Sequence, residues 1–187
     1  MKIPKNTLLS CLLSLMIAPS FAQTPTASAP QKPQSVQSVE KIDVARYMGT
    51  WHEIARLPLI YQEKCLGDVQ AHYTLQADNT VQIINSCRQA NGDVAQSVGK
   101  AWLQNQGGSQ LKVSFLPKIL RWLPIGRGDY WILRLDADYQ TVLIGTPNRQ
   151  YLWVLSRSPK LDERVLQDYL QTAREQGFDL CQLIVNP

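Results

Sequence analysis

Between residues 68 and 157 the chain alternates apolar and polar side chains in short runs broken by tight turns, a pattern suited to β-sheet with one buried face. In 68–75, Val69, Ala71, Tyr73 and Leu75 share one face, and Asp68, Gln70, His72 and Thr74 share the other. Ala77-Asp78-Asn79 turns the chain, and 80–87 returns with Val81 and Ile83 together. Asn91-Gly92-Asp93 is a second hairpin signal, leading into 94–103, and residues 105–108 turn again into 111–115. Segments 129–136, 141–146 and 151–157 follow, and a first strand near 50–57 brings the count to eight. Even spacing and short connections point to an all-β up-and-down barrel or a sandwich. Both faces of 130–135 are largely apolar, so one packs inward and the other lies under a helix.

That helix follows the last strand. Pro159 precedes it, and Asp162 and Glu163 suit its positive N-terminal end. Val165, Leu166, Tyr169, Leu170 and Ala173 form an apolar stripe, and Gly177 stops it. Gly49-Thr50-Trp51 opens the first strand and Arg157 ends the last. In a closed barrel this pairing makes Trp51 a plug at one end, with the Arg157 guanidinium flat on its indole. A barrel plugged at one end is a cup. By alternation Val69, Ala71, Tyr73, Val113 and Phe115, joined by Trp131, are the candidate walls. Eight strands enclose either a filled core or one small ligand, and apolar and aromatic walls suit an acyl chain.

The ends of the chain read differently. Lys2 and Lys5, the apolar run 7–18 and Ser20-Phe21-Ala22 form a signal peptide, residues 1–22, too short to span a bilayer as a mature helix. Leu8-Leu9-Ser10-Cys11 resembles a lipobox, but apolar residues continue beyond Cys11, so simple export is the expectation. Residues 23–40, rich in Pro, Ser, Gln and Thr, read as a disordered tether, and 41–187 as one domain with a sizeable core. Loss of the leader lowers the formal charge from +4 to +2, too little for a nucleic-acid footprint. Cys65, Cys87 and Cys181 remain in the exported chain. Cys65 precedes one strand and Cys87 ends the next, which favours a cross-hairpin bond; Cys65–Cys181 and no bond are the alternatives.

The residues offer little to catalysis. His52-Glu53 lacks the second His of a zinc helix, and His72 falls on a polar face. Gly126-Arg127-Gly128 is too short to cradle phosphate, and no nucleophile has an orienting partner, so neither an enzyme nor a metal or cofactor is expected. The loop 116–128 carries Ile119, Leu120, Trp122, Leu123 and Ile125 interleaved with Lys118, Arg121 and Arg127. These residues either fold back on the barrel or form a rim for a membrane surface.

Taken together, the domain resembles the lipocalin family, and within it the bacterial outer-membrane branch. The resemblance runs from about Asp43 to Ile184 and rests on three stretches. These are Tyr47-Met48-Gly49-Thr50-Trp51-His52-Glu53-Ile54-Ala55-Arg56, the strand pair 136–145 with Asp138 and Tyr139, and the stretch 151–159 with Arg157. It implies an eight-stranded antiparallel calyx with one C-terminal helix outside. It also implies binding of fatty acids or lysophospholipids, carried or stored for upkeep of the cell envelope. Such a protein is exported to the periplasm, with outer-membrane association, peripheral membrane contact and a homodimer all open to it. The competing reading is a barrel packed shut whose loop 116–128 binds a protein partner.

Overall fold

The computed structural model describes residues 35–186 apart from 122 and 124. The leader, Cys11, most of the expected tether and Trp122 therefore lie outside the described residues. Eight antiparallel strands close on themselves: β1 (Gly49–Arg56), β2 (Gly67–Leu75), β3 (Thr80–Arg88), β4 (Val94–Leu103), β5 (Gln110–Ser114), β6 (Gly128–Leu135), β7 (Thr141–Gly145) and β8 (Leu152–Ser156). Each pairs with its sequence neighbour, and β1 pairs with both β2 and β8, which closes the barrel. A short ninth strand, β9 (Ile184–Val185), adds to β1 at Ala55 and Arg56, where β1 has left β2.

Alternation places the core on both sides of one wall. In β7, Val142 and Ile144 point into the barrel while Leu143 points out, and all three are fully buried. The outward side is covered by α2 (Glu163–Glu175), which lays Leu166, Tyr169, Leu170 and Ala173 on it. The expected fifth member of that stripe, Val165, is 37% exposed, because it sits one position round the helix from the buried seam. The Asp162 carboxylate caps the helix by accepting from Arg164 N–H at 2.8 Å. At its other end Gly177, with φ of +82°, lets Phe178 N–H reach the Ala173 carbonyl and drop its ring into the outer cluster. That ring sits where a side chain at Gly145 would stand, 2.6 Å from an added Cβ, so the strand needs glycine there.

Residues 35–40, read from sequence as the end of the tether, run along this domain. Val36 is buried in the outer cluster, Val39 N–H donates to the Ile132 carbonyl, and Gln37 exchanges hydrogen bonds with Gln176. Packing on the domain thus begins at least as early as Val36. Cys65 and Cys87 are bonded, with Cα atoms 5.5 Å apart, and tie the β1–β2 loop to β3; Cys181 is free and exposed.

Candidate functional site

The closed end of the barrel is built on α1 (Val44–Tyr47), a single turn capped by Asp43, which crosses below the first strand. Trp51 is fully buried, and its indole N–H donates to the Tyr47 carbonyl at 2.9 Å. The Arg157 guanidinium lies 3.9 Å from the centre of the Trp51 ring. Its N–H groups donate to the carbonyls of Arg46, Tyr47, Met48, Thr50 and Tyr139. One side chain therefore satisfies backbone acceptors from α1, β1 and the β6–β7 turn, and ties those elements together. Gly49 adopts φ of +94°, and a Cβ there would stand 3.3 Å from Arg157 Nη1. Only a glycine lets the strand start so close to the guanidinium.

Above this floor sits a cluster of three phenols. Tyr130 Oη lies 2.7 Å from Tyr47 Oη and 3.1 Å from Tyr73 Oη. Three hydroxyls linked by two hydrogen bonds leave one O–H donor without a phenol acceptor. Burial pushes the Tyr73 hydroxyl up to about 12, and Tyr47 and Tyr130 also rise well above the usual phenol value, so all three stay neutral at ordinary pH. The phenols line a cavity of about 20 Å³, together with Ile42, Val81, Ile83 and Leu111. That is room for about one water. Any ligand larger than that would enter only by displacing side chains.

Towards the open end the interior becomes polar. Glu53 and Arg56 are both buried, with Oε1 and Nε 3.1 Å apart. Glu53 also accepts from Gln62 Nε2 at 2.9 Å, in the loop after β1, and from Asn186 Nδ2 at 3.1 Å, in the tail after β9. Burial raises the Glu53 carboxyl above its ordinary value, the amide and Arg56 contacts acting against that.

The candidate wall residues are distributed unevenly. Ala71, Tyr73 and Val113 belong to the interior cluster. Val69 is half-buried, beside a break in the β2–β3 register. Phe115 lies beyond the end of β5, 43% exposed, with its ring over Gly99 at the mouth. Trp131 is a correction. It sits between inward Tyr130 and Ile132 and packs on the outer cluster beside α2, so it is not a wall of the cavity. Tyr47, Tyr130, Glu53 and Arg56 were absent from the expected walls. Alternation with Trp51 and Ile132 points to Glu53 and Tyr130, but α1 carries no periodic signal for Tyr47.

The loop 116–128 stands at the open end. Ile119 is 79% exposed and Leu120 40%, Leu123 is half-buried, and Trp122 lies outside the described residues. Arg121 donates to the Leu116 and Val98 carbonyls, and Arg127 stacks 4.6 Å over Trp102, so these two arginines fold back while Ile119 and Ile125 stay out. Across the mouth, Ile60 and Tyr61 are exposed by 68% and 77%. Among the described residues no group of three or more His, Cys, Asp or Glu could hold a metal ion, and no helix is long and apolar enough to cross a membrane.

Comparison with known proteins agrees with this architecture. Residues 42–187 match the family model of the lipocalin-like domain. Temperature-induced lipocalin-1 of Arabidopsis thaliana is 38% identical over 157 residues, covering 82% of this chain and 83% of the relative. The outer membrane lipoprotein Blc of Escherichia coli is 36% identical over 176 residues, covering 92% and 95%. Insecticyanin from the tobacco hornworm Manduca sexta superposes with a TM-score of 0.64 over 85% of this chain and 87% of its own, at 20% identity, which speaks to the fold. Lipocalins generally bind small hydrophobic ligands, and nothing in the site points to catalysis. With its closed eight-stranded barrel, its Trp51–Arg157 floor and a family match spanning most of its length, this chain belongs to the lipocalin family.

Proposed function

We propose that the protein is a non-catalytic carrier of single-chain amphiphiles, fatty acids or lysophospholipids, in the cell envelope. The observation that carries this reading is the interior itself: a cup closed by Trp51 and Arg157, with a largely apolar cluster along β2–β5 and the phenol cluster and the Glu53–Arg56 pair as placed polar groups. Apolar walls with a few placed polar groups suit an acyl chain that carries one polar end. The name of the Escherichia coli relative, an outer membrane lipoprotein, and the Cys65–Cys87 bond support export to an oxidising envelope compartment. The exposed Ile60, Tyr61, Ile119 and Ile125 around the mouth support a rim that meets a membrane surface when ligand is exchanged.

One observation favours a second reading. A cavity of about 20 Å³ suits a barrel packed shut, whose loop 116–128 meets a protein partner. Titration with a fluorescent fatty acid separates the two. The carrier takes up the probe at one site per chain and releases it to unlabelled lysophospholipid. A probe that stays dark at saturating concentration supports the closed barrel.

A further inference from the structure

Two arginines of this barrel, half-buried Arg157 and buried Arg56, are treated very differently by their surroundings. Arg157 spends its N–H groups on five carbonyls. Arg56 is only 8% exposed, yet its Nη1 reaches the Leu57 carbonyl at a long 3.4 Å. Its Nε lies 3.1 Å from Glu53 Oε1 as an ion pair, but out of line for a good hydrogen bond. Glu53 meanwhile takes two amide donors from Gln62 and Asn186. The carboxylate thus holds two amide donors besides the ion pair, whereas the guanidinium holds the ion pair and one long bond.

A guanidinium has five N–H donors, and a buried one with a single ion pair and one long bond has capacity left for a ligand's oxygens. Beside it lies an open hollow of about 340 Å³, lined by Arg56, Pro58, Leu59, Ile60, Glu63 and Ile184. Its walls are mostly apolar, Glu63 is exposed to solvent, and Arg56 is its buried cation. Guanidinium forks match carboxylate and phosphate oxygens, and charge-assisted bonds of this kind are the strong ones. We propose that Arg56 determines head-group specificity, anchoring the carboxylate or phosphate of an amphiphile in the hollow between the β1–β2 loop and β9. This rests on the reading of the barrel as an amphiphile carrier.

The test is calorimetric titration of the full chain with hexadecanoate, hexadecanol and inorganic phosphate. Wild type should bind the acid about tenfold or more tightly than the alcohol of equal chain length. The paired variant Arg56→Gln/Glu53→Gln, which leaves no lone buried charge, should bring the two within roughly threefold. Arg56→Lys, which keeps the charge and Glu53 paired, should retain a preference for the acid and guards against misfolding of the paired variant. Inorganic phosphate at millimolar concentration should not displace the acid. Equal binding of acid and alcohol by wild type, or an undiminished preference in the folded paired variant, would overturn the proposal while leaving the carrier reading intact. Displacement by inorganic phosphate at micromolar concentration would overturn it in favour of a free-anion site. Binding of neither amphiphile would overturn the carrier reading as well.

Discussion

Replacing Arg157 with alanine removes one side chain that holds three parts of the barrel floor. The guanidinium stacks 3.9 Å over Trp51 and donates to the carbonyls of Arg46, Tyr47, Met48, Thr50 and Tyr139. A desolvated cation–π contact of this kind contributes about 1–2 kcal/mol. Hydrogen bonds from a charged donor contribute about 1.5–3 kcal/mol each, but they are shared by one group and do not add. Arg157 is only half-buried, so water will reach some of the freed carbonyls in the variant. We therefore expect a net loss of about 3–4 kcal/mol. In a domain of this size each kcal/mol shifts the melting temperature by roughly 2–4 °C, so Arg157→Ala should melt about 10 °C below wild type. Arg157→Lys keeps a charge but loses the fork, and should fall between them. The assay is paired: thermal unfolding by circular dichroism, and fatty-acid affinity well below the variant's melting point. The floor account requires a large stability loss with affinity changed by less than about threefold. A variant that melts within about 2 °C of wild type but binds tenfold more weakly would refute it.

Glu53 has a folded-state carboxyl raised above its ordinary 4.5, so the native state holds that proton more tightly than the unfolded chain does. Its contribution to stability is therefore full below pH 4.5 and declines as pH rises through the raised value. Urea midpoints of wild type against Glu53→Gln should show that decline in wild type and a flatter profile in the variant; parallel profiles would argue that burial of Glu53 is not the cause. The Cys65–Cys87 bond closes a loop with a sequence separation of 22, and removing it as the double serine variant should cost about 3 kcal/mol by loop entropy. Unchanged urea stability would show that the β1–β2 loop needs no tie. If the rim meets membranes, wild type should co-sediment with anionic vesicles and Ile119→Glu should do so several-fold less; absence of wild-type binding would remove that role.

How far the sequence could be read depends on what each part of the pattern encodes. Where a strand has one apolar face, as in 68–75, alternation alone puts Ala71 and Tyr73 inside. Where both faces are apolar it is silent. Trp131 lies in such a run, and only the position of Phe178 and α2 decides that it points out. Spacing misleads where the register breaks. Glu53 and Arg56 stand three apart, which in an ideal strand sends them to opposite faces. The irregularity between Glu53 and Ala55 pairs Glu53 with Leu155 and Arg56 with Trp153, both inward residues, and so brings the ion pair together. The floor is legible because Gly49-Thr50-Trp51 and Arg157 mark the ends of a closed sheet. The phenol cluster is less so, since Tyr47 comes from a single helical turn whose place under the barrel is set by tertiary contacts to Arg157 and Trp51. The tether boundary moved for a similar reason. Val36 looks isolated among polar residues, and its partners lie far along the chain on the outer cluster.

A barrel that carries a single-chain amphiphile must open beyond its small resting cavity to hold one. Native mass spectrometry of the protein purified without detergent tests such carriage most directly. The account predicts a satellite species heavier by one fatty acid or lysophospholipid per chain, lost on organic extraction and restored by adding that lipid back. A spectrum showing the bare chain alone, before and after incubation with excess fatty acid and lysophospholipid, would contradict it.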